Sequence, residues 1–125
     1  MSTSKTLVKA RQIITDGVMT GTSVITSSEQ DCSGAKLISI ELSWSGTPNG
    51  TFVVQRPATY NANGTVATWA TLPVTSTNGD TLTAAGSAST HQIDVTVVCF
   101  TRVRVQYTNA SSTGTLQAWV TVKGE

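Results

Sequence analysis

The sequence predicts an all-β protein built from short strands, and three observations support this. Apolar and polar residues alternate with a period of two in most patterned segments, which is the periodicity of a strand with one buried face. Pairs of turn-forming residues separate these segments at short intervals, as in a sandwich or barrel. The composition, with 23 Thr and 14 Ser but only 12% charged residues, is typical of strand surfaces and unlike the roughly 25% charge of an average domain.

The clearest strand covers residues 36–44. Its apolar side chains fall on one face and its polar side chains on the other, so we expect a half-buried antiparallel strand. Five further segments predict strands of the same kind, and Trp44 and Trp69 are both expected in the core. The apolar positions of the six strands are Ile38, Ile40, Leu42 and Trp44; Phe52 and Val54; Trp69 and Leu72; Ile93, Val95 and Val97; Val103, Val105 and Tyr107; and Leu116, Ala118, Val120 and Val122.

The stretch 42–55, LSWSGTPNGTFVVQ, has the form of a β-hairpin. Two alternating apolar runs flank a cluster of Ser, Gly, Thr, Pro and Asn, and an Asn-Gly pair tolerates the positive φ of tight hairpin turns. We therefore expect its Trp and Phe to face the core and its centre to form a turn. The same reasoning predicts turns at Asp16-Gly17, Ser33-Gly34, Asn49-Gly50, Asn63-Gly64, Asn78-Gly79 and Thr113-Gly114.

Two segments lack a clear pattern. Residues 1–30 are predicted to be an N-terminal arm or edge strands preceding a sandwich domain at 31–125, and residues 5–15 fit a short helix or a strand equally well. Residues 73–91 are rich in small residues, and loops of this length in compact domains are often functional or ordered by a partner. Asn78, Asp80 and His91 are therefore candidate contact residues.

The bulk properties exclude several classes of partner. The net charge is +1 and the basic residues are not clustered, so neither nucleic acid nor an anionic membrane is expected as a partner. The residues after Met1 contain no apolar signal core, and no apolar run has the length of a transmembrane helix, so we expect neither feature. Without a secretory signal, Cys32 and Cys99 are expected as reduced thiols, with a disulfide between them as the alternative.

Motifs for catalysis and cofactor binding are missing from the sequence. The single histidine, His91, lies just before a predicted strand and has no accompanying nucleophile motif, so we interpret it as a solvated loop residue. There is no phosphate-binding loop and no metal-ligand spacing. We therefore expect no enzyme activity, no metal and no cofactor.

Four residues form a candidate interface. Arg102 and Arg104 project from one face of a predicted strand, with Lys123 expected near them, and Trp119 falls on the polar face of the last strand. Exposed Trp and Arg often anchor contacts between subunits, and no second aromatic residue accompanies Trp119 as a sugar site would require. A subunit interface is therefore favoured over a sugar-stacking site at these positions.

The order of turn and core motifs resembles that of a known family. The motifs are WSGTPNGTF at 44–52, TWATL at 68–72, ID at 93–94, VRVQYT at 103–108 and STGTL at 112–116. Over about residues 31–123 this series resembles small β-sandwich structural proteins of tailed phages and related viruses, of the head decoration or cement type or the neck or tail accessory type.

The resemblance implies an antiparallel, jelly-roll-like β-sandwich of about seven or eight strands. It also implies a non-enzymatic virion component, made in the host cytoplasm, whose partners are further copies of itself and other virion proteins. The alternative is a carbohydrate-binding or host-attachment module that uses Trp119 to bind a glycan. Residues 1–30 lie outside the resemblance, and we interpret them as an arm for exchange with a neighbouring subunit.

Overall fold

A computed structural model describes residues 8–21, 24–72, 82–85, 89–95, 98, 100–111 and 113–124. These residues form ten strands and no helix. In chain order the strands are β1 (Val8–Val18), β2 (Val24–Thr26), β3 (Gln30–Asp31), β4 (Ala35–Gly46), β5 (Asn49–Tyr60), β6 (Val66–Leu72), β7 (Leu82–Ala85), β8 (Ser89–Val95), β9 (Arg102–Ser111) and β10 (Gly114–Gly124).

The strands form two antiparallel sheets that enclose one apolar core. The first sheet has the order β1-β10-β4-β8. In the second sheet β9 and β5 are central, β2 and β3 follow one another along β9, and β6 and β7 share the opposite edge of β5. Because β2 with β3, and β6 with β7, each occupy one edge of the second sheet, both sheets are four strands wide. Two packed sheets of four strands form a jelly roll. The predicted antiparallel, jelly-roll-like β-sandwich is confirmed, and its seven or eight strands correspond to these eight positions.

The core is filled from the inner faces of both sheets. In β4, β5, β9 and β10, the apolar residues at alternate positions are buried, as the period of two predicts. Trp44 lies among them, stacked on Phe52 with 5.4 Å between ring centroids. The buried residues of these four strands are Ala35, Ile38, Ile40, Leu42, Trp44, Gly50, Phe52, Val54, Pro57, Val103, Val105, Tyr107, Asn109, Leu116, Ala118 and Val120.

The described part of the N-terminal segment contributes edge strands to both sheets. β1 pairs with β10 at the edge of the first sheet, and β2 pairs with β9 at the edge of the second. Ile13, Ile14 and Met19 are buried in the common core. Of the two interpretations of residues 5–15, the strand is therefore observed from Val8 onward. Residues 1–7 lie outside the described residues.

The stretch 42–55 connects the two sheets, so the prediction of a hairpin was wrong. β4 pairs with β10 and β8, whereas β5 pairs with β9, β6 and β7. The chain turns at Thr47 and Pro48, and the preceding Gly46 has a φ of 80°, which favours glycine. An apolar–turn–apolar pattern is the same for a hairpin and for a corner between sheets, because it does not specify which strands pair.

Two of the predicted turns are confirmed and a third marks another crossing between the sheets. Asn63-Gly64 closes a true hairpin between β5 and β6, in which Asn61 N donates to Thr65 O at 2.7 Å. Ser33-Gly34 forms the turn before β4. Thr113-Gly114 lies where the chain leaves β9 in the second sheet for β10 in the first.

Two other predicted turns lie inside strands. Asp16-Gly17 belongs to β1, where Asp16 has a φ of 50° and the register against β10 shifts. This pair therefore forms a β-bulge, which bends an edge strand without ending it. Asn49-Gly50 is the start of β5, and Asn78-Gly79 lies outside the described residues.

Gly50 is packed directly against β9. A Cβ atom at this position would lie 2.3 Å from Thr108 O and 2.5 Å from Tyr107 Oη. That hydroxyl donates to Asn109 Oδ1 at 2.6 Å, and Asn109 Nδ2 donates to Gly21 O at 2.8 Å. The close approach therefore shields a buried polar network that joins β9 to the N-terminal segment.

The thiol of Cys32 is buried beside Phe100. It is a free thiol whose Sγ donates to Phe100 O at 3.4 Å. Burial, followed by the nearby Asp31 carboxylate, raises the pKa of Cys32 from 9.0 to about 11, against the opposing effect of Arg102. Cys99 lies outside the described residues.

The Gly50→Ala substitution is expected to lower the free energy of unfolding by about 1–3 kcal/mol, because the added methyl group overpacks against a fixed backbone carbonyl. Urea denaturation followed by circular dichroism measures the change. The matched control is Gly124→Ala, whose Cβ would meet its nearest neighbour, Gly34 O, at 3.4 Å. Equal effects of the two substitutions would contradict the close packing of Gly50.

Raising the pH through the range from 9.0 to about 11 is expected to destabilise the fold through Cys32. Below this range the thiol is protonated in the folded and unfolded states alike. Within it the unfolded chain loses the proton while the folded chain retains it, so the free energy of unfolding falls. Denaturation curves of the wild type and of Cys32→Ala, compared across this range, isolate the contribution of the thiol. Identical pH dependence in both proteins would show that the thiol titrates normally.

Candidate functional site

The outward-facing residues of the two sheets form two broad surfaces with different chemistry. We call the outer face of the second sheet, with Gln55, Trp69, Arg102 and Arg104, the arginine face. We call the outer face of the first sheet, with Ser39, Glu41, Gln92, Trp119 and Lys123, the tryptophan face. The expectation that Lys123 lies near the two arginines was wrong, because β10 and β9 belong to different sheets.

Arg104 is the most constrained residue of the arginine face. It projects outward because its neighbours Val103 and Val105 point into the core. Its Nε donates to Gln55 Oε1 at 2.7 Å, and its guanidinium lies 4.2 Å from the ring centroid of Trp69. Partial burial lowers the pKa of Arg104, against the opposing effect of Glu29. A guanidinium has so high a pKa that it stays charged, so the face presents a fixed cation on an indole ring.

Trp69 belongs to this outer face, and its predicted core position was wrong. On β6, Leu72 lies opposite the buried Val54 and Trp69 lies opposite Pro57. Residues three apart on a strand point to opposite faces, so Trp69 points outward when Leu72 points into the core. Leu72 packs against the core, and Trp69 is only partly buried. The spacing of these two residues was visible in the sequence and is the signal that could have corrected the prediction.

Arg102 lies on the same face but is held more loosely. Its Nη1 is 3.8 Å from Glu29 Oε1, and the two side chains are each 44% exposed. An exposed pair of this kind stabilises a protein by at most about 1 kcal/mol, so Arg102 can change partners at little cost. The arginine face therefore combines two cations, one held firmly and one loosely, with the partly buried ring of Trp69.

Trp119 lies in the middle of the tryptophan face. Strand pairing places it in a row across the first sheet, between Gln12 on β1 and Glu41 on β4, with Gln92 of β8 beyond Glu41. It is partly buried, so its predicted outward position agrees with the structure while its exposure is only partial. The indole borders a shallow depression lined by Ala10, Ser39, Glu41, Gln92, Trp119 and Thr121.

Hydrogen bonds organise the β8 side of the tryptophan face. Ser39 Oγ donates to Asp94 Oδ1 at 2.9 Å. Gln92 Nε2 donates to Ser39 Oγ at 2.9 Å and to Asp94 Oδ1 at 3.2 Å. Lys123 lies further along the face on β10, directly opposite Leu37 of β4, whose side chain is 40% exposed. The face therefore carries polar groups around one indole rather than a cluster of cations.

The predicted contact segment 73–91 is only partly described. Asn78 and Asp80 lie outside the described residues, while residues 82–85 and 89–91 belong to β7 and β8. His91 is therefore within a strand and not in the loop before it. Its exposed ring stacks on Trp44 with 5.3 Å between centroids, so it covers the end of the aromatic core.

Among the described residues, no group of three or more His, Cys, Asp and Glu side chains has the arrangement of a metal site. The described residues also contain no helix that is long and apolar enough to span a membrane. Within this part of the chain, every buried side-chain nitrogen and oxygen has a hydrogen-bond partner.

Neither a family model nor a curated protein matches the sequence. Solved structures of phage and viral origin nevertheless share the fold. The SPBc2 prophage-derived protein YomS has a TM-score of 0.60 and 13% identity over 99% of both chains. A chain of the T=1 particles derived from infectious bursal virus has a TM-score of 0.63 and 12% identity, over 99% of this chain and 33% of its own length. The PBSX exported protein XepA has a TM-score of 0.55 and 17% identity, over 91% of this chain and 36% of its own.

These identities are low, so the comparisons establish the fold. The chain is similar in fold to almost the whole of YomS and to about a third of each of the other two proteins. The resemblance to phage and viral β-sandwich proteins that the sequence suggested is therefore confirmed at the level of the fold.

Proposed function

We propose that this chain is a non-enzymatic structural protein of a virion, acting through contacts between subunits. The observation that carries the proposal is the jelly-roll fold, common to the prophage-derived YomS over its full length and to a chain of a T=1 viral particle. Its place in the virion is that of a capsid decoration or cement protein, or of a neck or tail accessory. Fold alone does not determine function, so the surfaces supply the remaining support.

The arginine face supports a contact role by its composition and its order. Trp, Tyr and Arg are the residues most enriched among those that dominate binding energy at interfaces. Gln55 and Trp69 hold Arg104 in place, so a partner would immobilise little additional side-chain freedom on docking. The matching partner surface presents carboxylates or carbonyl oxygens, which accept hydrogen bonds from guanidinium groups. Other copies of this chain and other virion proteins are the proposed partners, and the virion is the proposed location.

A carbohydrate-binding or host-attachment role is the second candidate, and the depression beside Trp119 favours it. An indole provides an apolar surface on which a sugar ring stacks. Glu41, Gln92, Ser39 and Thr121 provide carboxylate, amide and hydroxyl groups around the same depression. Such groups are suited to hydrogen bonds with sugar hydroxyls.

The structural role predicts that the protein is a stoichiometric component of purified particles and that Arg104 attaches it. Particles assembled with the Arg104→Ala variant are expected to contain at most about one-tenth as much of this protein as particles assembled with the wild type. A loss of this size is typical when a dominant interface residue is truncated. Quantitative mass spectrometry of density-purified particles measures the retention. Lys123→Ala, which removes one positive charge from the other sheet, is the matched control and should be retained normally. Absence of the wild-type protein from particles would overturn the proposal.

The glycan-binding role predicts saturable binding on a glycan array. The Trp119→Ala substitution is expected to weaken that binding by about tenfold or more, because it removes the stacking surface. Trp69→Ala removes an indole from the arginine face and should leave glycan binding unchanged. Equal losses from the two variants, or no binding by the wild type, would reject the depression as a sugar site.

A further inference from the structure

The described residues leave β8 as a strand with one partner. It pairs with β4 and with no other described strand. An edge strand presents backbone donors and acceptors that another strand can bind, and proteins usually block such edges with short strands, bulges, charged residues or proline. The edges of this sandwich differ in how far they are blocked.

Three of the four edges are interrupted. β1 contains two register shifts, one of them around the positive φ of Asp16. At the β9 side of the second sheet, β2 and β3 have only three and two residues. At the β5 side, β6 has two register shifts and is separate from the four-residue β7. None of these edges offers a long regular strand.

The β8 edge has no bulge, and Asp94 is its one charged residue. All seven residues pair with β4 in continuous register, from Ser89 opposite Trp44 to Val95 opposite Ile38. The strand contains no proline, lysine or arginine. Its side chains alternate regularly, with Ile93 buried and Thr90, Gln92 and Asp94 on the tryptophan face.

We propose that β8 pairs antiparallel with β8 of a second copy of this chain, around a two-fold axis at Gln92. Gln92 is the middle residue of the strand, so this register pairs all seven residues. Thr90 then faces the partner's Asp94, and His91 faces the partner's Ile93. The two Asp94 carboxylates are kept apart, which avoids the repulsion of like charges placed directly opposite each other. A closed two-fold contact of this kind is self-complementary.

The pairing also joins two first sheets into one continuous sheet of eight strands. Side chains keep their faces across an antiparallel pair, so the two tryptophan faces become a single surface. Ser39 and Asp94 hold the Gln92 amide on the tryptophan face of its own sheet, and the register places Gln92 opposite the partner's Gln92. The inference concerns the free protein and goes beyond the proposed virion role, since it holds or fails whether or not the protein enters a particle.

Cysteine cross-linking tests the register in the full chain, in a Cys99→Ser background. Gln92→Cys places two thiols opposite each other, and mild oxidation is expected to give a disulfide-linked dimer. Thr90→Cys is the matched control, because its two thiols are displaced along the strands by four residues, roughly 13 Å. Cross-linking of Gln92→Cys alone supports the register. Equal cross-linking of both variants, or none of Gln92→Cys, would overturn it.

Charge substitution tests the interface without a covalent cross-link. Gln92→Lys and Gln92→Glu each place like charges at the two-fold axis and are expected to weaken self-association by about tenfold or more. An equimolar mixture of the two should restore the dimer, and only folded chains can do so. Sedimentation velocity measures the association. A wild type that stays monomeric, or variants that associate as well as the wild type, would reject the interface, and both results are independent of the particle experiment.

Discussion

The contact on which the sandwich depends is an aromatic stack that joins its two sheets. Trp44 in the first sheet stacks on Phe52 in the second with 5.4 Å between centroids, and Phe52 packs on Tyr107 at 4.6 Å. The chain passes from β4 to β5 between Trp44 and Phe52, so the stack closes over the corner at Thr47 and Pro48. Each aromatic contact contributes about 0.5–1.5 kcal/mol beyond the area that it buries. Together they fix the end of the sandwich at which the chain crosses.

The polar groups beside this stack make the corner specific. Tyr107 lies in the apolar core, yet its hydroxyl donates to Asn109, which in turn donates to Gly21 O. In a low-dielectric interior such a network stabilises only when every member is paired, and here the side chains are satisfied. Gly50 leaves the space that the Tyr107 hydroxyl occupies. These contacts connect the corner, β9 and the N-terminal segment, so the two sheets are held in a fixed position relative to each other.

The features that depend on local alternation could be predicted from the sequence. The period of two in 36–44 identified a strand and its inner face, and the turn pairs located the ends of several strands. The pairing between distant strands could not be predicted in this way, so the 42–55 corner was taken for a hairpin. Arg104 and Trp69 meet only because β9, β5 and β6 are neighbours in that order. Lys123 joins a different face for the same reason. Trp69 is the exception, since its spacing from Leu72 already placed the two on opposite faces.

The distribution of chemistry over the molecule follows from how the core is built. The large apolar side chains of the central strands pack between the sheets, and the residues that alternate with them must face outward. With only 12% charged residues, these outer faces become broad surfaces of hydroxyl and amide groups with a few ordered anchors. Arg104 on Trp69 supplies a cationic anchor on one face, and Trp119 supplies an indole on the other. The proposed contact residues therefore lie on opposite faces and the regular edge lies at the side, so the sandwich can contact several neighbours at once, which is the geometry that the proposed role in an assembled particle requires.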